Sequence, residues 1–288
     1  LPEYQRQMSI YAYLEPDPYS EVHIPYSYEK AQIGLILQGQ YYLLPIYVPG
    51  TDQPLNAEEV RSQIAALWEE SGSGSPSLME MATIQRASQS KLRDKLSPNL
   101  QGALEKLRYA PILINADRRP NHWPLTQIRQ TERGVGDHAL TIFETDRSVV
   151  FDQSHIFFDG ILGSALAEIM TNEALSWASY LNTLPDSQLA KKKLYTPLSF
   201  KFTAKDRKLI QKVPRVTPES GAETDQINLK ACLQVRKSFR QRSEMLHLTV
   251  NDLLVLYRAI HAANYKPSQE LKDQLHLLAS KRATRSLA

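Results

Sequence analysis

An α/β fold is predicted for this chain, either in two lobes or as one oversized unit. Three observations lead there. The chain has 288 residues, which lies between one large domain and two ordinary ones. Hydrophobic residues make up 42% and charged residues 23%, a globular balance, and 14 Tyr, 7 Phe and 3 Trp supply bulk for a core. Segments with the two-residue alternation of strands also exchange along the sequence with segments of helical spacing.

The first thirty residues are rich in Tyr and Pro (Tyr11, Tyr13, Pro16, Pro18, Pro25, Tyr26), which predicts an extended, surface-hugging lead-in. Residues 33–37 and 41–48 are β-branched and aromatic runs around Gln38-Gly39-Gln40, a hairpin signal, and Pro45 implies an edge or a bulge in the second strand. Asn56 is placed to cap a helix in which Val60, Ile64 and Leu67 recur at helical spacing. Ser71-Gly-Ser-Gly-Ser-Pro76 reads as a flexible connection, followed by helical stretches at 78–90 and 100–108. Residues 109–115 read as a short buried strand that leaves through a loop at Asp117-Arg-Arg-Pro120. The clearest hairpin pairs residues 139–144 with 148–152 across Thr145-Asp-Arg147. A long helix is expected from Asp159-Gly160, with Ile161, Leu162, Leu166, Ile169 and Met170 at helical spacing, running toward Pro185. The polar stretch 185–224, punctuated by Pro197, Pro214 and Pro218, is expected to cross between lobes. Residues 227–235 alternate like a strand, 236–242 start a basic helix, and Thr249 is expected to cap a helix at 253–263. These readings divide the chain into a first lobe at 1–185 and a crossing segment with part of a second lobe at 186–288.

Composition narrows the function. Lys and Arg number 34 against 31 Asp and Glu, and an excess of +3 gives no footprint for nucleic acid. The single cysteine, Cys232, rules out an internal disulfide framework and any multi-cysteine metal site. That suits a reducing compartment, the cytoplasm or an organelle lumen. No apolar run approaches the roughly 18 residues of a membrane span, and Leu1-Pro2-Glu3 has neither part of a signal peptide. A start at Leu suggests a processed chain or a piece of a longer one. No metal is expected, because His247 and His261 have no ligand partners at useful spacing. There is also no glycine-rich phosphate loop. Asp117, Arg118 and Arg119 could hold a phosphate or solvate a loop, and Lys191-Lys-Lys193 reads as a solvated basic run.

The segment with the most chemical content is Asp152-Gln-Ser-His155-Ile-Phe-Phe-Asp159-Gly160. A histidine on the short turn between a strand and a helix can point one ring nitrogen into a cleft, and an imidazole with pKa near 6.5 can take a proton from a hydroxyl or thiol near pH 7. Asp159 could hold the turn or pair with an arginine, and Gly160 lets the chain enter the helix closely packed. No covalent nucleophile is required.

His155-Ile-Phe-Phe-Asp159-Gly160 resembles the His-x-x-x-Asp-Gly motif of the CoA-dependent acyltransferase superfamily, which includes chloramphenicol acetyltransferase, condensation domains and the choline/carnitine acyltransferases. The last of these is the nearest likeness. Asn121-His-Trp123 resembles the family's Asn-Arg-Trp segment, and Asp137-His-Ala-Leu140 its Asp-Lys-Ser-Leu hairpin. Tyr41-Tyr-Leu-Leu-Pro-Ile resembles an early strand, Pro197-Leu-Ser-Phe-Lys the segment after the motif helix, and Thr249-Val-Asn-Asp252 a later helix start. The likeness implies a two-lobed, chloramphenicol acetyltransferase-like fold, with mixed sheets flanked by helices and a second lobe that is incomplete here. It implies an enzyme of lipid metabolism that moves an acyl group between a CoA or carrier-protein pantetheine thioester and a small hydroxyl acceptor such as carnitine, with no permanently bound cofactor. His155 would be the general base and Asp159 the structural motif aspartate, while Lys237, Arg240 and Arg242 would lie near the CoA phosphates. The chain departs from the family in having Ser154 where a glutamate precedes the histidine, in extra residues between Trp123 and Asp137, and in lacking the carnitine-recognition segment. Two alternatives follow: a condensation-like or polyketide-releasing domain acting on carrier-bound chains, and an inactive binding module of the same fold.

Overall fold

The computed structural model describes residues 10–16, 21–70, 72, 77–158, 160–216, 229–242 and 249–280. The expected connection at 71–76 and the motif residue Asp159 fall largely or wholly outside that set. The chain forms two compact units, Leu1–Ala222 and Glu223–Ala288.

The first unit is an α/β sandwich. Strands β1 (Ala12–Pro16) and β2 (Glu21–Pro25) form a small antiparallel sheet from the Tyr- and Pro-rich lead-in. The main sheet begins with the predicted hairpin of β3 (Gln32–Leu37) and β4 (Gln40–Pro45). Its turn places Gln38 at φ 50 and Gly39 at φ 71, the left-handed pair of a tight hairpin. Both turn amides donate to the Asp117 carboxylate, at 2.5 and 2.9 Å. Helix α1 (Ala57–Glu70) follows, with the Asn56 side chain accepting from the Glu59 amide at 2.8 Å as a cap. Short helices α2 (Met79–Ala82), α3 (Arg86–Arg93) and α4 (Pro98–Leu107) lead to β5 (Ile112–Arg119). After α5 (Leu125–Arg129) come β6 (Leu140–Thr145), β7 (Val149–Gln153), the 22-residue α6 (Gly160–Leu181), β8 (Thr196–Leu198) and α7 (Ala204–Lys212).

The six-stranded sheet has the order β7-β6-β5-β3-β4-β8. Strands β3, β5 and β6 run parallel, and β4 and β7 are antiparallel to their inner neighbours. Parallel neighbours need a crossover, which the helices between residues 57 and 107 supply for β3 and β5, and the segment holding α5 supplies for β5 and β6. Adjacent residues of a strand point to opposite faces. On one face Ile36, Leu43 and Leu113 pack with Leu78, Leu92, Leu100, Leu104 and Ile210, from the α2–α4 region and α7. On the other face Leu37, Leu44 and Tyr42 meet Ala66 and Leu67 of α1. On that same face, by register, Leu140 and Ile142 meet Phe157, Phe158, Leu162 and Leu166.

Several elements differ from the sequence reading, each for a physical reason. The loop expected at Asp117–Arg119 is the end of β5, reached after a register shift between Asn115 and Arg119. Pro45 lies where the outer side of β4 has no partner among the described strands, an edge position as expected, although β4 itself is not an edge strand. The proline closes β4 opposite Gln32, past the residues that pair with β8. The polar stretch expected to cross between lobes instead supplies the sixth strand and a capped helix. Tyr42 pairs with Pro197, and Asp206 forms a capping box with Thr203. In α6, Leu162, Leu166 and Met170 face the core while Ile161 and Ile169 are 85% and 60% exposed, so the five apolar residues divide between two faces.

The second unit holds α8 (Leu229–Arg242), α9 (Val250–Asn264) and α10 (Gln269–Ser280). The strand expected over 227–235 is helical from Leu229, continuous with the basic helix that follows it. Alternation over so short a run does not fix a strand where none of the described strands pairs with it. The Thr249 cap forms as read: its hydroxyl accepts from the Asp252 amide at 3.1 Å, and the Asp252 carboxylate accepts from the Thr249 amide at 2.7 Å.

Candidate active site

The turn carrying His155 joins the end of β7 to the start of α6, and it is pinned from inside. The Ser154 amide donates to the Ala139 carbonyl at 3.0 Å, and the Ser154 carbonyl accepts from the amides of Phe157 and Phe158 at 3.0 and 3.1 Å. Phe157 and Phe158 are buried against Ala12, Leu14, Ala139 and Leu140, and His23 packs on the Phe157 ring at 4.9 Å. The apolar Ile-Phe-Phe filling therefore anchors the turn and leaves His155 exposed at its surface. Gln153 donates its side-chain amide to the Gly163 carbonyl at 2.8 Å, tying the strand end to the first turns of α6.

His155 Nδ1 lies 3.1 Å from the Phe158 carbonyl oxygen. A carbonyl can only accept, so this bond assigns the proton to Nδ1 and the lone pair of the neutral ring to Nε2. No described residue forms a hydrogen bond with Nε2.

His155 opens onto a cavity of about 360 Å³. Its wall also holds Arg86 from the start of α3, Arg129 from the end of α5, and Arg133, His138 and Asp152. Asp152 on β7 accepts from both of the later arginines, Arg129 at 2.9 Å on one oxygen and Arg133 at 3.3 Å on the other. The loop that carries Arg133 turns through Gly134 and Gly136, at φ 71 and 82. A Cβ at Gly134 would stand 2.9 Å from Leu113 and 3.0 Å from the His138 ring, so this glycine is required by both the backbone angle and the space.

Behind the loop, Asp137 is buried and paired with Arg93 at 2.5 Å, with Arg108 at 3.7 Å. Burial alone would raise its carboxyl, but the charge and hydrogen bond of Arg93, helped by His138 and Arg108, hold it below the usual range. His138 is also buried, and its Nε2 bonds to the Thr141 hydroxyl at 2.7 Å. Loss of hydration lowers its pKa from 6.5 to about 4. The nearby Asp137 and Asp152 charges offset only part of that, and Arg133 and Arg86 add to it. Among the described residues, the pocket thus presents three arginines, one shared carboxylate and two imidazoles.

Of the catalytic and CoA-binding candidates named from the sequence and described in the structure, His155 alone stands in this pocket, beside Ser154. Asp159 lies outside the described residues. Lys237, Arg240 and Arg242 are exposed on α8 in the second unit. Lys237 and Arg240 share a helix face three residues apart, and Arg242 points off it. Asp117, Arg118 and Arg119 are occupied within the fold: Asp117 by the hairpin turn, Arg118 by Glu144 at 2.6 Å, and Arg119 by the Thr131 hydroxyl. Lys193 pairs with Glu70.

Sequence reasoning missed Arg129 and Arg133, and quoted His138 and Asp152 within longer segments without giving either a role. The available signal was Gly134-Val-Gly136 directly before Asp137-His138, a turn beside two ionisable residues. The extra residues between Trp123 and Asp137 are the ones that build α5 and the arginine loop.

Among the described residues no cluster of three or more His, Cys, Asp and Glu is placed to hold a metal ion, and no helix is long and apolar enough to cross a membrane. Compared with models of known protein families and with curated proteins, the chain matches none.

Proposed function

We propose that this protein is an acyltransferase in which His155 acts as general base, moving an acyl group between a CoA or carrier-bound thioester and a hydroxyl acceptor. The observation that carries this reading is the His155 Nδ1 bond to the Phe158 carbonyl at 3.1 Å, which leaves Nε2 as the basic atom at the mouth of a polar pocket. The resemblance of His155-Ile-Phe-Phe-Asp159-Gly160 to the superfamily motif supports the same atom in the same role.

In the forward direction Nε2 takes the hydroxyl proton as the oxygen attacks the thioester carbonyl. A C–O bond forms, and the carbonyl electron pair moves onto oxygen. Collapse of that oxyanion breaks the C–S bond, and the departing thiolate takes the proton from Nε2. The ring ends in the state in which it began, and no acyl-enzyme is formed. The Phe158 carbonyl keeps the ring from rotating and stabilises the imidazolium through its Nδ1 proton.

The test follows free-thiol release from a panel of acyl-CoA chain lengths with hydroxyl acceptors, for wild type and His155→Ala. General-base catalysis contributes about 10²–10⁴-fold, and the variant is expected to lose that much while keeping its circular dichroism. Equal rates for the two proteins across the panel would exclude His155 as the base. A parallel arm with acyl groups on a carrier protein separates the two donors, since a carrier-dependent enzyme responds there and poorly to free acyl-CoA.

A further inference from the structure

The net charge of +3 combines two unlike parts. Residues 1–222 hold 23 Lys and Arg against 25 Asp and Glu, whereas residues 223–288 hold 11 against 6. The first unit is therefore slightly acidic, at −2, and the much smaller second unit carries +5. Such asymmetry within one chain points to an anionic partner for the basic part.

Helix α8 concentrates that charge. Lys230, Arg236, Lys237, Arg240 and Arg242 lie within its 14 residues, which include no Asp or Glu. Among the described residues, none of the five forms a salt bridge. Their order on the helix is regular. Lys230 stands three residues before Leu233, and Arg236, Lys237 and Arg240 stand three, four and seven after it. These spacings bring the four cations around Leu233 on one face, with Arg242 off it. Leu233 is 53% exposed at the centre of that ring. On α9, which packs against α8, Leu256, Tyr257 and Ile260 are exposed as well.

We infer that the second unit binds the surface of an anionic lipid bilayer through this face of α8, with Leu233 entering the acyl boundary and the four cations at the headgroups. Lysine and arginine suit that depth, because their apolar stems lie along the boundary while their charged ends reach the phosphates. Each such cation strengthens binding by about fivefold, so four together are worth more than about a hundredfold. A nucleic acid also supplies phosphates, but it gives an exposed leucine no apolar phase to enter. At about 21 Å, α8 is shorter than the ~30 Å hydrocarbon core, so it lies on the surface and does not span it.

Co-sedimentation of the full chain with phosphatidylcholine vesicles, with and without about one third phosphatidylserine, tests this. Binding to the serine-containing vesicles is expected to be at least tenfold tighter, and to weaken at least tenfold between about 50 and 300 mM salt. The double variant Lys237→Gln, Arg240→Gln should weaken it at least tenfold. Leu233→Gln leaves every charge in place and substitutes another good helix former. It should weaken vesicle binding at least threefold while leaving any affinity for duplex DNA unchanged. Circular dichroism of the variants separates loss of binding from loss of fold. Should they unfold, the comparison of two vesicle compositions and two salt concentrations carries the test on wild type alone.

Equal binding to neutral and anionic vesicles, or binding to neither, would overturn the proposal. Duplex DNA bound more tightly than the vesicles, with Leu233→Gln without effect on either, would assign the face to nucleic acid instead. Displacement from the vesicles by free CoA at about 1 mM would give the cations to a soluble phosphate and refute the bilayer assignment. His155→Ala should bind vesicles as wild type does, so the acyl-transfer reading and the membrane reading stand or fall separately.

Discussion

His138 is held neutral in the wall of the pocket, and this has a consequence for stability as well as chemistry. Its folded pKa of about 4 lies below the 6.5 of an exposed imidazole. The unfolded chain therefore binds a proton that the folded chain refuses. The associated stability is complete above pH 6.5 and is lost as pH falls toward 4, on the order of 3 kcal/mol in total. Chemical denaturation at pH 7 and pH 4.5 should show wild type losing about 2 kcal/mol more than His138→Gln, whose amide can still reach Thr141. The carboxylates titrate in both proteins and cancel from the comparison. Parallel losses would mean that His138 is not buried as an uncharged ring. His155 was legible in the sequence because a strand, an apolar filling and a glycine frame it within a few residues. His138 and the arginines were not, because their partners are distant in sequence: Asp152 on β7 is matched by Arg129 and Arg133 near α5, and such pairings follow only from the sheet order.

At the scale of elements, the segments with local signals formed as read. The two hairpins, the Asn56 and Thr249 caps and the long helix after Gly160 each depend on residues within a few positions of one another. The errors fell where a distant partner decides the outcome. Strand β8 is a strand because β4 offers an open edge to residues 196–198, and nothing in their own three-residue pattern announces it. The junction of β7 and α6 gives a sharper test. Gly163 is buried, and a Cβ there would stand 2.5 Å from Gln153 Oε1 and 3.3 Å from its Cδ. In an open helix Gly→Ala stabilises by about 0.5–1 kcal/mol. Here the Gln153 amide is anchored to the Gly163 carbonyl, so the methyl must displace it and break that bond. Gly163→Ala is expected to lower stability by about 1 kcal/mol and to cut the proposed acyl transfer several-fold, since Gln153 lies two residues before His155. A rise in melting temperature would show that the junction yields without cost.

Across the whole molecule the apolar core is unevenly shared. All three clusters of buried residues lie between Ala12 and Ile210, within the first unit. In the second unit none of the described side chains is buried, and Leu233, Val255, Tyr257 and Leu277 are largely exposed. Helices of 12–15 residues are marginal in water when propensity and capping alone support them. The capping box of α9 and its neighbours contributes about 1 kcal/mol, far less than a packed face. Amide hydrogen exchange under native conditions should therefore divide the chain. Strands β3, β5 and β6, hydrogen-bonded to neighbours on both sides, should exchange only through global opening of the first unit. Helices α8, α9 and α10 should exchange at least a hundredfold faster, through local opening that costs about 3 kcal/mol less. Denaturant should slow the distinction at high concentration, where global unfolding takes over for both. Protection in α8–α10 equal to that of β5 would mean that the apolar positions of these helices are covered in solution, and the division of stability drawn from the clusters would then be wrong.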